Sequence, residues 1–211
     1  MILRAASGMQ QAKGKGDGRV GRFPHPGGRL RSAGAASIVG LSVLLSGCGL
    51  ASGPGALTPD APSTMTVTSA AFGQGVLPQR YTCHGGNAKI TPPLDWSGAP
   101  SGTRSYAIVV DDSTVDLITP YIHWIVFDIP QATTDIQEGQ LPPGARQADN
   151  SAGQAGYEPP CPRGHGQSYR FTVYALRSTL KLANGASTLS AWTAIAKAAI
   201  ARGRTSAVAN P

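Results

Sequence analysis

Over much of the chain, apolar and polar positions follow the spacing of β-strands. Tyr106–Val110 is a β-branched apolar run of strand length, and Ile122–Ile129 is another. Between them lie Asp111, Asp112, Ser113, Thr114, Asp116 and Pro120, residues that form turns and loops. If the two strands pair, Asp112, just past the first, and His123, just inside the second, meet at one rim of a sheet. Tyr169–Leu176 alternates aromatic and β-branched residues and gives the clearest strand pattern. Thr64–Ala70 alternates too. Tyr81–Trp96 is broken by Gly and Pro and reads as a long ordered loop ending in a short strand. Gln131–Asn150 and Gly156–Gln167 are turn-rich. The period changes near the end. From Thr188 to Arg202, Leu189, Trp192, Ile195, Ala196, Ala199 and Ile200 recur at steps of three and four, which predicts a helix. Ser187 or Thr188 would cap it, Gly203 would stop it, and Leu189, Trp192 and Ile195 would face the core. Strands followed by a terminal helix predict a mainly β, antiparallel sandwich with a C-terminal helix.

The first 47 residues do not fit that pattern. Met1–Arg31 holds seven Lys/Arg against one acid, and Ala33–Ser46 is a short uncharged run of small and apolar residues. The run is too short to span a bilayer but fits a signal-peptide core. It ends in Leu45-Ser46-Gly47-Cys48, which resembles the lipobox of bacterial lipoproteins. That resemblance implies cleavage before Cys48, lipidation of Cys48, and a protein held on the extracytoplasmic face of the cell membrane. The expected organisation is a signal peptide over 1–47, a flexible Gly/Ala/Ser/Pro tether over 48–62 and one domain over 63–211. Cleavage also alters the charge. The chain is +7, of which the leader carries 7 − 1 = +6, leaving 11 basic and 10 acidic residues. The basic excess therefore belongs to export, and nucleic acid is not an expected partner.

With Cys48 set aside, Cys83 and Cys161 remain, both in Gly/Pro-rich loops of a chain destined for an oxidising compartment. A disulfide between them would close 161 − 83 = 78 residues. Its stabilisation on the chain-entropy estimate is ~4 kcal/mol. The competing reading is a zinc site with His84 and His165, weakened because Cys83 and His84 are adjacent. For Asp112 and His123 two readings stay open. They form an acid–imidazole pair that supports a protonated ring able to hold an anion, or Asp112 caps a turn and His123 is a satisfied core histidine. No G-x-S-x-G, H-E-x-x-H or Walker pattern occurs in the folded part, and nothing calls for a metal or cofactor.

Four segments, in order, resemble the phosphatidylethanolamine-binding proteins in their bacterial Raf-kinase-inhibitor-like (YbhB/YbcL-like) branch. They are Asn87-x-x-x-x-Pro92-Pro93-Leu94-x-Trp96, the strand–loop–strand of Tyr106–Pro130, Gly156-Tyr157 through Pro160-Cys161-Pro162, and Tyr169–Leu176. The resemblance implies a Greek-key sandwich with a small anion-holding cavity at one end. It assigns ligand binding to Asp112, His123, Tyr169 and backbone groups near Pro160, with a phosphate or phospholipid headgroup as partner. The chain departs from the family pattern at Thr114, where the family has a second Asp, at Asp116, where it has Pro, and at Gln167, where it has His; His165 lies two residues before the last. The function implied is that of a lipid-anchored binding protein. Alternatives are a surface-acting protease or kinase inhibitor, or a hydrolase using Asp112 and His123.

Overall fold

The structure is a computed structural model that describes residues 59–86, 89–114 and 120–211. The leader, Cys48, most of the tether, Asn87 and Asp116 lie outside the described residues. Among the described residues, eight strands and one α-helix follow in order, besides two 3-10 turns at Gly73–Gly75 and Gln79–Tyr81: β1 Thr66–Thr68, β2 Leu94–Ser97, β3 Ser105–Asp112, β4 Ile122–Pro130, β5 Asp135–Ile136, β6 Arg146–Gln147, β7 Gln167–Leu176, α1 Thr188–Ala198 and β8 Ala199–Ala209. They build two antiparallel sheets, a small one of order β1-β2-β5 and a large one of order β6-β4-β3-β7-β8. The mainly β, two-sheet architecture is the one expected.

Period two explains how the large sheet is buried on both faces. Successive residues of a strand point to opposite faces. In β3, Tyr106, Ile108 and Val110 enter one cluster with Val67, Leu94 and Trp96 of the small sheet. Ala107 and Val109 enter a second cluster with Ala191, Trp192 and Ile195 of α1. A strand covered on both sides reads as a continuous apolar run, which is what Tyr106–Val110 is.

The end of the chain departs from the expectation. The helix stops at Ala198 and a strand of eleven residues follows. Ser187 caps the helix, its Oγ accepting from the Ser190 N–H at 3.3 Å. At the other end the Ala198 carbonyl accepts from the Arg177 N–H at 2.9 Å. From there β8 pairs with β7 from Leu176↔Ala199 to Gln167↔Ala209. Arg202 therefore lies in a strand and not at the helix end. Gly203 is no helix stop; a Cβ there would sit 2.6 Å from the Met65 carbonyl oxygen, so it lets the chain leading into β1 pass close by. The core-facing side of α1 is Trp192 and Ile195 but not Leu189, which is 61 % exposed.

The chain enters the domain beside β8. The Pro59 carbonyl accepts from Arg202 Nη1 at 3.1 Å and the Pro62 carbonyl from the Arg202 N–H at 2.8 Å. Ala61 between them is buried. Among the described residues no helix is long and apolar enough to cross a membrane.

Candidate functional site

The ends of β3, β4 and β7 meet at one rim of the large sheet. Asp112 is paired opposite Tyr169, and Asp111 opposite both Arg170 and Ile122. This register brings Asp112, His123 and Tyr169 to the wall of one cavity of about 360 Å³. Tyr121, Glu158, Pro159, Cys161, Arg163 and Gln167 complete the lining.

The loop carrying Glu158 is fixed to β4 by reciprocal bonds. The Glu158 N–H donates to the His123 carbonyl at 2.9 Å, and His123 Nδ1 donates to the Glu158 carbonyl at 3.0 Å. Nδ1 thus carries the proton, and in the neutral ring Nε2 is the acceptor. The ring is buried, packed edge-on to Tyr169 with centroids 5.3 Å apart and tilted against Tyr121 at 5.0 Å. The same loop is tied from the other side. The Cys83 N–H donates to the Pro160 carbonyl at 2.9 Å, and Cys83 and Cys161 form a disulfide with Cα atoms 5.1 Å apart. His84 lies beside the bridge, so the three side chains cluster, but both sulfurs are spent on each other. His165 is exposed and is not part of that cluster.

Two expectations change. Asp112 does not orient His123: its carboxylate accepts from the Thr114 N–H at 2.7 Å in a turn of its own, and the Glu158 carbonyl fixes the tautomer. Nor is the imidazolium favoured. Burial pushes the His123 pKa below its ordinary value, outweighing the Glu158 carbonyl and the Asp112 and Glu158 charges, which act the other way. The plainer readings of both residues are therefore seen in their hydrogen bonds, while both still face the cavity. Pro160 itself is not in the cavity wall. It is buried, its carbonyl is taken by Cys83 and it has no N–H to offer; its neighbours Pro159 and Cys161 line the cavity instead.

Tyr169 is 1 % exposed, and burial followed by the nearby Asp112 charge raises its phenol pKa to about 12, so it stays a donor. The Tyr121 hydroxyl donates to the Glu158 carboxylate at 3.0 Å. Gln167 gives its amide oxygen to the Arg163 N–H at 2.6 Å, leaving its NH₂ as a further donor. Thr114, at the position of the family's second Asp, accepts from the Ser168 N–H at 2.8 Å and so ties the loop to β7. The lining thus combines two carboxylates, one guanidinium, two phenols and a neutral imidazole. Such a set suits a ligand carrying both charges better than a bare anion. Glu158, Tyr121 and Arg163 were not singled out from the sequence; a Glu and an Arg flanking a Pro-Cys-Pro segment were the only signal available.

A larger hollow of about 410 Å³ lies by α1, walled by Pro120, Ile122, Leu189 and Trp192 among others. It lacks converging charged and titratable groups apart from Asp149 at its edge, which is why the smaller cavity is the candidate site.

Residues 67–210 match the family model described as phosphatidylethanolamine-binding protein. LppC of Mycobacterium tuberculosis, whose name marks it as a candidate lipoprotein, is 38% identical over 194 residues, 83% of this chain and 92% of that protein. A UPF0098 protein of Methanothermobacter thermautotrophicus is 40% identical over 119 residues, 54% of this chain and 77% of that one. Among solved structures, YbcL of E. coli aligns with a TM-score of 0.63 at 26% identity, covering 71% of this chain and 99% of its own. The PEBP homologue CT736 of Chlamydia trachomatis aligns at 0.60 and 31% identity, covering 69% and 97%. The matched span takes in all of the large sheet, the helix and the cavity rim, and the chain belongs to the phosphatidylethanolamine-binding protein family.

Proposed function

We propose that the chain is an exported, lipid-anchored binding protein whose rim cavity takes a small phosphate-bearing headgroup, preferably one carrying its own ammonium group. In this reading residues 1–47 direct export, Cys48 carries the lipid, and the domain works on the extracytoplasmic face. One observation carries it: Asp112, His123 and Tyr169, drawn from three strands, line the same cavity as Arg163 and Glu158. The Arg163 guanidinium, the Tyr169 hydroxyl and the Gln167 amide supply donors for a phosphate. Asp112 and Glu158 supply acceptors for an ammonium. No nucleophile is needed, and Asp112 and His123 each hydrogen-bond elsewhere, so a hydrolytic pair has no support in the geometry.

Calorimetric titration with phosphoethanolamine and with inorganic phosphate tests the reading. Phosphoethanolamine should bind more tightly. Tyr169→Phe should cost about 0.5–1.5 kcal/mol as the loss of a neutral donor. Equal, undiminished affinity in the parent and in the double variant His123→Ala/Tyr169→Phe would remove the cavity from the function.

A further inference from the structure

Three exposed cations meet where the large sheet and the helix end. The Arg104 N–H donates to the Leu176 carbonyl at 2.7 Å, and the Arg177 N–H to the Ala198 carbonyl at 2.9 Å. Arg104, Arg177 and Lys197 therefore ride on adjoining backbone at one rim of the large sheet, and all three are exposed. Arg202 lies next to them in β8, opposite Tyr174. Among the described residues the ion pairs are Arg80–Glu138, Arg146–Asp128 and Arg170–Asp111, so these four cations have no such partner. The cavity lies at the other rim. β3 runs from Ser105 beside Arg104 to Asp112 in the cavity wall. At 3.3 Å per residue its seven steps separate the two rims by roughly 23 Å.

A second observation concerns the chain's own path. It joins the domain at the cationic rim, where Arg202 holds the Pro59 and Pro62 carbonyls. Cys48 precedes Pro59 by 59 − 48 = 11 residues. A chain of that length reaches at most ~36–40 Å.

We propose that this rim, centred on Arg104, Arg177, Lys197 and Arg202, is the surface that rests on an anionic phospholipid bilayer, with the cavity opening away from it. The proposal rests on the lipid-anchoring reading above. The tether alone holds the domain near the membrane but allows any orientation. Each cation at an anionic surface gains about 1 kcal/mol. That is roughly fivefold in population, or on the order of a hundredfold for three. The attraction is screened within about 8–10 Å at ordinary salt. The cavity then draws its ligand from the aqueous side or an opposing surface, not from the leaflet that holds the anchor.

Energy transfer from the lipidated protein to a headgroup-labelled lipid tests this. The chain has three cysteines, one for the lipid and two in the disulfide, so one added thiol takes the dye. Ser178→Cys places it at the cationic rim and His165→Cys near the cavity, both at exposed positions. Vesicles are phosphatidylcholine alone or mixed with phosphatidylglycerol. The Ser178 dye should transfer far more than the His165 dye on the anionic vesicles. High salt or the variant Arg104→Gln/Arg177→Gln/Lys197→Gln should bring the two together, with Arg202 left in place because it holds the entering chain. Flotation on the neutral vesicles reports the anchor separately. Protein that does not float overturns the anchoring and the proposal with it. Protein that floats but gives equal transfer from both dyes on anionic vesicles overturns the orientation alone.

Discussion

His123 sits in the cavity wall as a buried ring whose Nδ1 is already committed to the Glu158 carbonyl. Burial lowers its pKa from the ordinary 6.5, so at neutral pH it accepts through Nε2. The sign of two effects follows. The unfolded chain takes up its proton at higher pH than the folded chain does, so stability should fall as the pH drops from about 6.5 toward the folded pKa. It should be level above that range. His123→Gln should reduce that acid loss in chemical denaturation. With His123→Ala as the reference that removes the phosphate's own ionisation, phosphate binding should strengthen only on acidification below the ordinary imidazole range, where the imidazolium forms in the folded chain. A calorimetric pH series on the parent and His123→Ala checks this; a difference between the two that develops mainly above pH 7 would assign the titration to another group. The strand period placed Asp112 and His123 at one rim, while Tyr169 was singled out only through the family resemblance. Glu158 and Arg163 were not legible, because loop residues gain their place only through partners distant in sequence: the pairing of Glu158 with His123, and Cys161 with Cys83.

Among elements, α1 and β8 show where local pattern yields to pairing. Ala199 and Ile200 fit a helical period, and alanine favours the helix. The ten positions at which β8 pairs with β7, and the capture of the Ala198 carbonyl by Arg177, set the boundary instead. None of that is local, so the helix was legible and its end was not. β8 is also built from small residues on one side, Ala201, Gly203, Ala207 and Ala209, because β1 and the segments around it crowd that face. Gly203→Ala should cost about 1–3 kcal/mol in a urea melt, since the added methyl meets the Met65 backbone and the Val67 side chain. The helix face gives a paired test. Trp192→Ala should cost about 3–5 kcal/mol as a large buried side chain, and Leu189→Ala should stay within about 0.5 kcal/mol as an exposed one. Trp192→Phe should cost much less than Trp192→Ala, because Nε1 is buried with no hydrogen-bond partner among the described residues.

At the scale of the whole molecule, the strands separate two tasks. One rim of the large sheet carries the cavity, and the other receives the entering chain. The disulfide belongs to the first task. It ties the Cys83 loop to the Cys161 loop across 78 residues, and Cys161 is itself part of the cavity wall. Replacing both cysteines by serine removes the cross-link without leaving a free thiol. The chain-entropy estimate puts the loss of stability at about 4 kcal/mol, with 2–5 typical for small exported domains. The effect on binding should exceed what stability alone explains. The Pro160 carbonyl bond to Cys83 survives in the backbone, but the wall it supports is held more loosely, and a ligand must then order it. Calorimetry well below the melting temperature should show weaker phosphoethanolamine binding with a more unfavourable entropy. Reduction of the parent should reproduce both changes, and reoxidation should reverse them. Unchanged affinity in the folded double variant would mean that the reciprocal Glu158–His123 bonds alone shape that wall.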